Sequence, residues 1–151
     1  MALAITELTV GNGVLALSPM PVDVFDVIAW RADVVLSMTQ KSEMPRNVHA
    51  DMKDAPFRWI TFPVQDFGVP DGDDWALVES EVVATLADDG RVLVHCKGGC
   101  GRSGMAVLRL MIATGEEPAQ AFARLRAVRP CAVETKAQLD WASGASLPWP
   151  L

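Results

Sequence analysis

The sequence predicts an α/β domain built on a central, mostly parallel β-sheet flanked by helices. Two kinds of segment lead there. Runs such as "ADVVLSM" and "RVLVHC" are short, β-branched and continuously apolar, as strands buried on both faces are. In "SGMAVLRLMIATG" and "PAQAFARLRAV" the apolar residues recur three and four positions apart, which is the helical period. The two kinds alternate along the chain, which argues for strand–helix units rather than separate layers. With 151 residues, the chain can bury a real core in one domain and is short for two, so 1–151 is taken as a single domain.

Each element has its own signal. "ELTVGNGVLALSP" predicts two short strands joined at Gly-Asn-Gly, and "VDVFDVIAWR" predicts a helix. "ADVVLSM" is the next strand. The stretch from Thr39 to Pro56 mixes Pro, Met and charges, and is expected to be irregular with a short helix. "FRWITFPV" is a strand ended by Pro63, and the loop "QDFGVPDGD" leads into a helix over "DWALVESEVVATLADDG". Asp73 and Asp74 suit the N-terminus of that helix and Gly90 marks its end. After the strand "RVLVHC" comes a glycine-rich loop, then a helix starting near Ser103 and stopped by Gly115. Another helix opens at Pro118, and a last one is expected over about Glu134 to Trp141.

Composition narrows the function. Half the residues are hydrophobic and 21% are charged, as in folded globular proteins. No apolar run has membrane-spanning length, and "MALAITELTVGNG" lacks the basic flank of a signal peptide, so a cytoplasmic location is expected. Three cysteines, an odd number, suit free thiols in a reducing compartment better than a disulfide framework. A net charge of -6 with pI ≈ 4.8 disfavours nucleic-acid binding, since no basic tract is present to neutralise a phosphate backbone. Any basic site must therefore be small and local.

One such site is written into "VLVHCKGGCGRSG" (92–104). In a parallel sheet ligands gather at the carboxyl ends of strands, where Cys96 falls. A strand, a loop containing Gly98, Gly99 and Gly101, and a helix start would turn successive N–H groups toward one anion, the helix dipole adding positive potential. Arg102 can present two parallel N–H donors to phosphate oxygens, a geometry Lys lacks. The same field favours the thiolate of Cys96 over the thiol. A thiolate beside a bound phosphate is a nucleophile with its substrate.

The motif "HCKGGCGRSG" resembles the Cys-x5-Arg-Ser phosphate loop of the protein tyrosine phosphatase superfamily, in the compact form of its small dual-specificity-like members. "PVQDFGVPD" is similar to the family's mobile acid loop, here about 64–73. "RPCAVETKAQ" resembles the segment that brings a Gln to the site. The resemblance implies a phosphate loop at 95–103 in which Lys97, Gly98, Gly99, Cys100, Gly101 and Arg102 hold the phosphate. It also implies roles: Cys96 as nucleophile, Asp66 as general acid with Asp71 as the second candidate, Gln138 positioning the hydrolytic water, Ser103 assisting departure of the sulfur, and His95 holding the loop. Outside these roles, Ser103 suits a helix N-cap, Gln138 a solvated helix face, and Glu134 and Thr135 capping positions. The implied substrate is a phosphorylated protein or small phosphomonoester, with phosphotyrosine first and phosphoserine or phosphothreonine next. No metal or cofactor is implied, and neither nucleic acid nor membrane is an expected partner.

Three other readings stay open at this stage. Lys97 after the nucleophile also resembles the phosphoinositide and inositol phosphate phosphatases, though Cys100 stands where those have a second lysine. Sulfur-transferase or arsenate-reductase chemistry uses a cysteine loop but leaves Asp66 and Gln138 unexplained. A phospho-binding module without turnover is the reading from a different class. As for the other cysteines, Cys100 can be expected to trap an oxidised Cys96 as a disulfide, with Cys131 a rival resolving thiol. The plainer expectation makes Cys100 a small filler under the loop and Cys131 a loop or packing thiol.

Overall fold

The computed structural model describes residues 2–72 and 74–150. A five-stranded sheet runs β1 (Thr6–Val10), β2 (Gly13–Ser18), β5 (Arg91–His95), β3 (Val34–Ser37), β4 (Arg58–Thr61) in spatial order. The β1–β2 hairpin is antiparallel and every other pairing is parallel, as expected. The order places β5 in the middle, with Val94 paired to Leu17 on one side and Leu36 on the other. Its carboxyl end, and hence Cys96, therefore sits at the centre of the sheet.

Alternation along the strands builds a core on each face. Leu15, Leu17, Val34, Leu36, Val92 and Val94 point to the face covered by α3 (Trp75–Ala87), α4 (Gly101–Ala113), α5 (Pro118–Val128) and α6 (Lys136–Ser143). Ala16, Val35 and Leu93 point to the opposite face, where Val27 of α1 (Phe25–Ala29) and Val48 and Met52 of α2 (Arg46–Asp54) cover them. Helix α4 is the most enclosed: Met105, Ala106, Val107, Leu108, Leu110 and Met111 are all fully buried. This agrees with their expected place in the core.

Several boundaries differ from expectation, each for a local reason. Helix α1 is only five residues long, because Asp23 Oδ1 caps the N–H of Phe25 at 2.8 Å and Arg31 (φ 66°) turns the chain left-handed beyond it. The Thr39–Pro56 stretch is more ordered than expected, with a 3-10 turn (Lys41–Glu43) and the nine-residue α2. Helix α4 starts at Gly101, ahead of Ser103: tertiary packing overrides the low helix propensity of glycine, and a Cβ at Gly104 would come within 2.6 Å of the Val133 nitrogen. Helix α6 starts later than Glu134, because Thr135 is its N-cap and accepts the Gln138 N–H at 3.0 Å, and it runs to Ser143, where left-handed Gly144 ends it. Asp74 is the N-cap position of α3 without a side-chain capping bond, and Asp73 lies outside the described residues. Among the described residues no helix is long and apolar enough to cross a membrane.

Candidate active site

The chain leaves β5 at His95 and wraps from Cys96 to Gly101 before entering α4. Gly99 (φ 72°) is the residue that makes the wrap possible, since a Cβ there would lie 2.6 Å from Pro19 N and Ser18 C. The loop is stitched to that neighbouring segment where Met20 N–H donates to the Lys97 carbonyl at 3.0 Å. Cys96 is only 3% exposed, and its Sγ lies 3.2 Å from Ser103 Oγ. Ser103 thus faces the sulfur, while the N-cap position of α4 belongs to Cys100.

His95 anchors Cys96 from beneath. It is fully buried, with Nδ1 3.1 Å from the Cys96 carbonyl and Nε2 2.5 Å from Ser37 Oγ. Because a carbonyl can only accept, Nδ1 carries the proton and donates. Ser37 then donates to Nε2 and accepts from Trp59 Nε1 at 2.9 Å, giving a chain of donors from Trp59 through Ser37 and His95 to Cys96. Burial lowers the His95 pKa to about 4, despite the opposing effect of its bond to the Cys96 carbonyl. The imidazole is therefore neutral in the folded protein near pH 7 and titrates at its ordinary value when unfolded. Stability from this group is complete above pH ~6.5 and is lost as pH falls toward 4, by on the order of 3 kcal/mol. The urea midpoint is expected to fall between pH 7 and 5, before most carboxylates titrate, and His95→Asn should flatten that fall; an unchanged slope would show that His95 does not set it.

Arg102, in the first turn of α4, is 1% exposed. Glu43 grips its fork from behind: Nη1 donates to Oε1 at 2.6 Å and Nη2 to Oε2 at 2.9 Å. Nη1 also donates to the Val64 carbonyl at 2.9 Å, and Asp66 Oδ1 lies 3.4 Å from Nη2. Nε is the one buried side-chain nitrogen or oxygen left without a partner among the described residues. The hydrogen bond from Arg102 lowers the Glu43 pKa, and Glu43 raises that of Arg102 against the opposing effect of burial. Both groups are therefore charged at neutral pH. Sequence reasoning missed Glu43: it lies 59 positions from Arg102 in a stretch with no periodic pattern, and no local signal marks it.

Over the loop lies the segment that carries the acid candidates. Asp66 retains 53% side-chain exposure and accepts the N–H of Phe67, itself left-handed (φ 61°) and 60% exposed. Asp71 sits farther along, on the wall of a cleft of about 970 Å³ that also touches Gln65, Val69, Ile60 and Val78. That cleft lies behind the acid loop, between β4 and α3, and does not include Cys96. Gln138 is fully buried, contrary to a solvated helix face. Its Nε2 donates to the Gly68 carbonyl at 3.2 Å and its Oε1 accepts the Glu134 N–H at 2.9 Å. A Cβ on Gly101 would come within 3.0 Å of Gln138 Oε1, so this side chain bridges the segment around Gly68 and the glycine-rich loop before α4. The structure thus brings Cys96, Ser103, Arg102, Asp66 and Gln138 around one spot, and leaves Asp71 aside.

The cysteines depart from expectation. Cys100 and Cys131 form a disulfide, with Cα atoms 5.2 Å apart, and only Cys96 is free. Neither a set of three thiols nor a Cys96–Cys100 pairing is what the fold presents. The turn after α5 lies against the phosphate loop, a proximity across 31 positions that composition does not reveal.

The site is thus a glycine-rich loop at the end of a central strand, with a buried Cys and a gripped Arg. The chain belongs to the family of Swiss Army Knife proteins with a DSP-PTPase phosphatase domain, whose model matches residues 12–141. It is 38% identical over 82 residues to mouse (Mus musculus) cyclin-dependent kinase inhibitor 3, a match covering 52% of this chain and 38% of that protein. The chain thus spans well under half the length of that curated relative. Among solved structures it is similar to Tk-PTP in the active form, with TM-score 0.74 and 28% identity over 87% of this chain and 90% of that one. It also shares its fold with a kinase associated phosphatase carrying serine for its catalytic cysteine, with TM-score 0.84 and 18% identity over 94% and 93% of the two chains.

Proposed function

We propose that this protein hydrolyses phosphomonoesters in two displacements at Cys96, with phosphotyrosine in proteins as its first substrate and phosphoserine or phosphothreonine as further ones. The observation that carries this reading is the unpartnered Nε of Arg102, a buried donor on a fork otherwise held by Glu43 and Val64, at the far end of a loop that begins at Cys96. A buried donor without a partner is costly, and a phosphate oxygen would satisfy it. In the first step the Cys96 sulfur attacks phosphorus and the ester oxygen leaves with the proton of Asp66. In the second, a water held by Gln138 gives its proton to Asp66 and attacks the cysteinyl-phosphate, while Ser103 donates a hydrogen bond to the departing sulfur. Loop N–H groups and Arg102 stabilise the charge on the equatorial oxygens in both steps.

Phe67 supports an aromatic ester, since it places exposed apolar surface next in the chain to the acid. The 38% identity to cyclin-dependent kinase inhibitor 3, a relative named for a protein partner, supports a phosphorylated protein as substrate. Phosphate release from p-nitrophenyl phosphate, phosphopeptides and phosphoinositides, measured side by side, tests the reading. Phosphotyrosine peptides should be turned over fastest, and preference for a phosphoinositide would replace the substrate class. Asp66→Asn is expected to slow phenyl and alkyl phosphates by ~10²–10⁴-fold, to slow esters of very good leaving groups less, and to remove the alkaline fall of the pH–rate profile. If Asp71→Asn does this and Asp66→Asn does not, Asp71 is the acid.

A further inference from the structure

A backbone whose N–H groups converge on an anion has to turn its carbonyls outward, and those carbonyls need donors of their own. In this protein one arm reaches three of them, while Met20 N–H serves the Lys97 carbonyl and Gly104 N–H shares that of Cys100. Arg129, in the turn after α5, donates from Nε to the Gly99 carbonyl at 2.9 Å and from Nη2 to the Gly98 carbonyl at 3.0 Å. Val133 N–H donates to the Cys100 carbonyl at 3.1 Å. Three consecutive outward carbonyls of the phosphate loop are thus held by residues 129–133, and within that arm Cys131 is bonded to Cys100. Arg129 makes no ion pair among the described residues: its partners are those carbonyls and, at 3.7 Å, Cys100 Sγ.

We propose that Arg129 is a positioning residue for the phosphate loop and that the Cys100–Cys131 disulfide is a reversible latch keeping it in place. The proposal rests on reading 95–103 as the phosphate loop. The guanidinium fork fixes two adjacent peptide planes with their N–H groups inward, which a mobile lysine could not do equally well. The disulfide ties the arm to the loop at the residue following Gly99. Its accessible end is Cys131, which is exposed, whereas Cys96 is buried against Ser103 and lies outside this couple. A dithiol reductant opens the latch: its thiolate attacks Cys131 Sγ, the S–S bond breaks, and Cys100 leaves as a thiolate and takes up a proton. The second thiol of the reductant then displaces Cys131, so two electrons pass to the protein and the reductant ends as its own disulfide.

The sign of the effect separates this latch from ordinary thiol protection. Reduction that merely rescues an oxidised Cys96 raises activity; opening the latch lowers it. The test uses the full chain, with inorganic phosphate binding followed by calorimetry and p-nitrophenyl phosphate turnover measured in parallel, before and after a dithiol and after reoxidation. Arg129→Gln is expected to weaken phosphate binding by ~10-fold, the scale of one or two charged hydrogen bonds, with Arg129→Lys recovering part of the loss. Reduced parent and Cys131→Ser should both fall between parent and Arg129→Gln, and Cys131→Ser should no longer respond to the dithiol. A lower melting temperature in Arg129→Gln with unchanged phosphate affinity would show a packing role only and overturn the proposal. So would equal affinities in the oxidised and reduced parent. If phosphate binding responds as described while no ester is turned over, the latch stands and the proposed reaction fails; if esters are turned over while phosphate affinity does not respond, the reaction stands and the latch fails.

Discussion

Cys96→Ser is expected to lose at least ~10⁴-fold in kcat, the scale seen when a nucleophile is removed from a unit that acts as one. The loss should fall on turnover and spare binding. Serine is close in size, Cys96 is buried, and the loop is shaped by Gly99, by the Met20 bond to the Lys97 carbonyl and by His95 beneath, none of which involves the sulfur. Calorimetric titration with inorganic phosphate should therefore give an affinity close to that of the parent. Appreciable residual turnover in Cys96→Ser would end the assignment of this residue as nucleophile.

The second large effect concerns Arg102. Arg102→Lys keeps the charge but discards the fork, and the geometry says which contacts go: Glu43 uses both Nη atoms in a bidentate grip, and Nε is the donor left for the substrate. One ammonium cannot serve Glu43, Val64 and a phosphate at once. A loss of ~10²–10³-fold in kcat/KM is expected, comparable with removing a preorganised donor from an anionic transition state. Because Glu43 then keeps a poorly matched partner in a largely buried place, the variant should also be less stable. Glu43→Gln is the companion measurement. It leaves Arg102 intact but weakens its grip, so activity should fall by less than in Arg102→Lys; an unaffected Glu43→Gln would show that the pair is structural only.

How much of this was legible in the residues follows the range of the interactions involved. Strands such as Val34–Ser37 and Arg91–His95 announce themselves because both faces are buried, which forces a continuous apolar run. Cys96, Arg102 and Ser103 stand within one loop and one helical turn, so their spacing already encodes their meeting. Gln138 and Asp66 were visible only through resemblance to a family pattern. Geometry adds what neither pattern nor resemblance gave, namely that Gln138 is buried and bonded to the Gly68 carbonyl of the acid loop. Glu43, Arg129 and the Cys100–Cys131 bond were not legible at all. Each acts across 29 or more positions through a turn rather than a periodic element, so no local pattern marks it. The helix start missed at Gly101 has the same origin, since packing against Val133 decides it, whereas Thr135, expected at a capping position, is the N-cap of the helix that starts at Lys136.

The central claim is that phosphate passes through a covalent bond to the Cys96 sulfur. The direct measurement is acid quenching of the enzyme during steady turnover of p-nitrophenyl phosphate, followed by fragmentation mass spectrometry of the peptide that contains Cys96. Gln138→Ala serves as a parallel sample, in which slower hydrolysis of the intermediate should raise its level. The expected result is one phosphoryl group, located on Cys96, present during turnover and gone once substrate is exhausted. A phosphoryl group on another side chain, or unmodified Cys96 in both enzymes while phosphate is still being released, would contradict it.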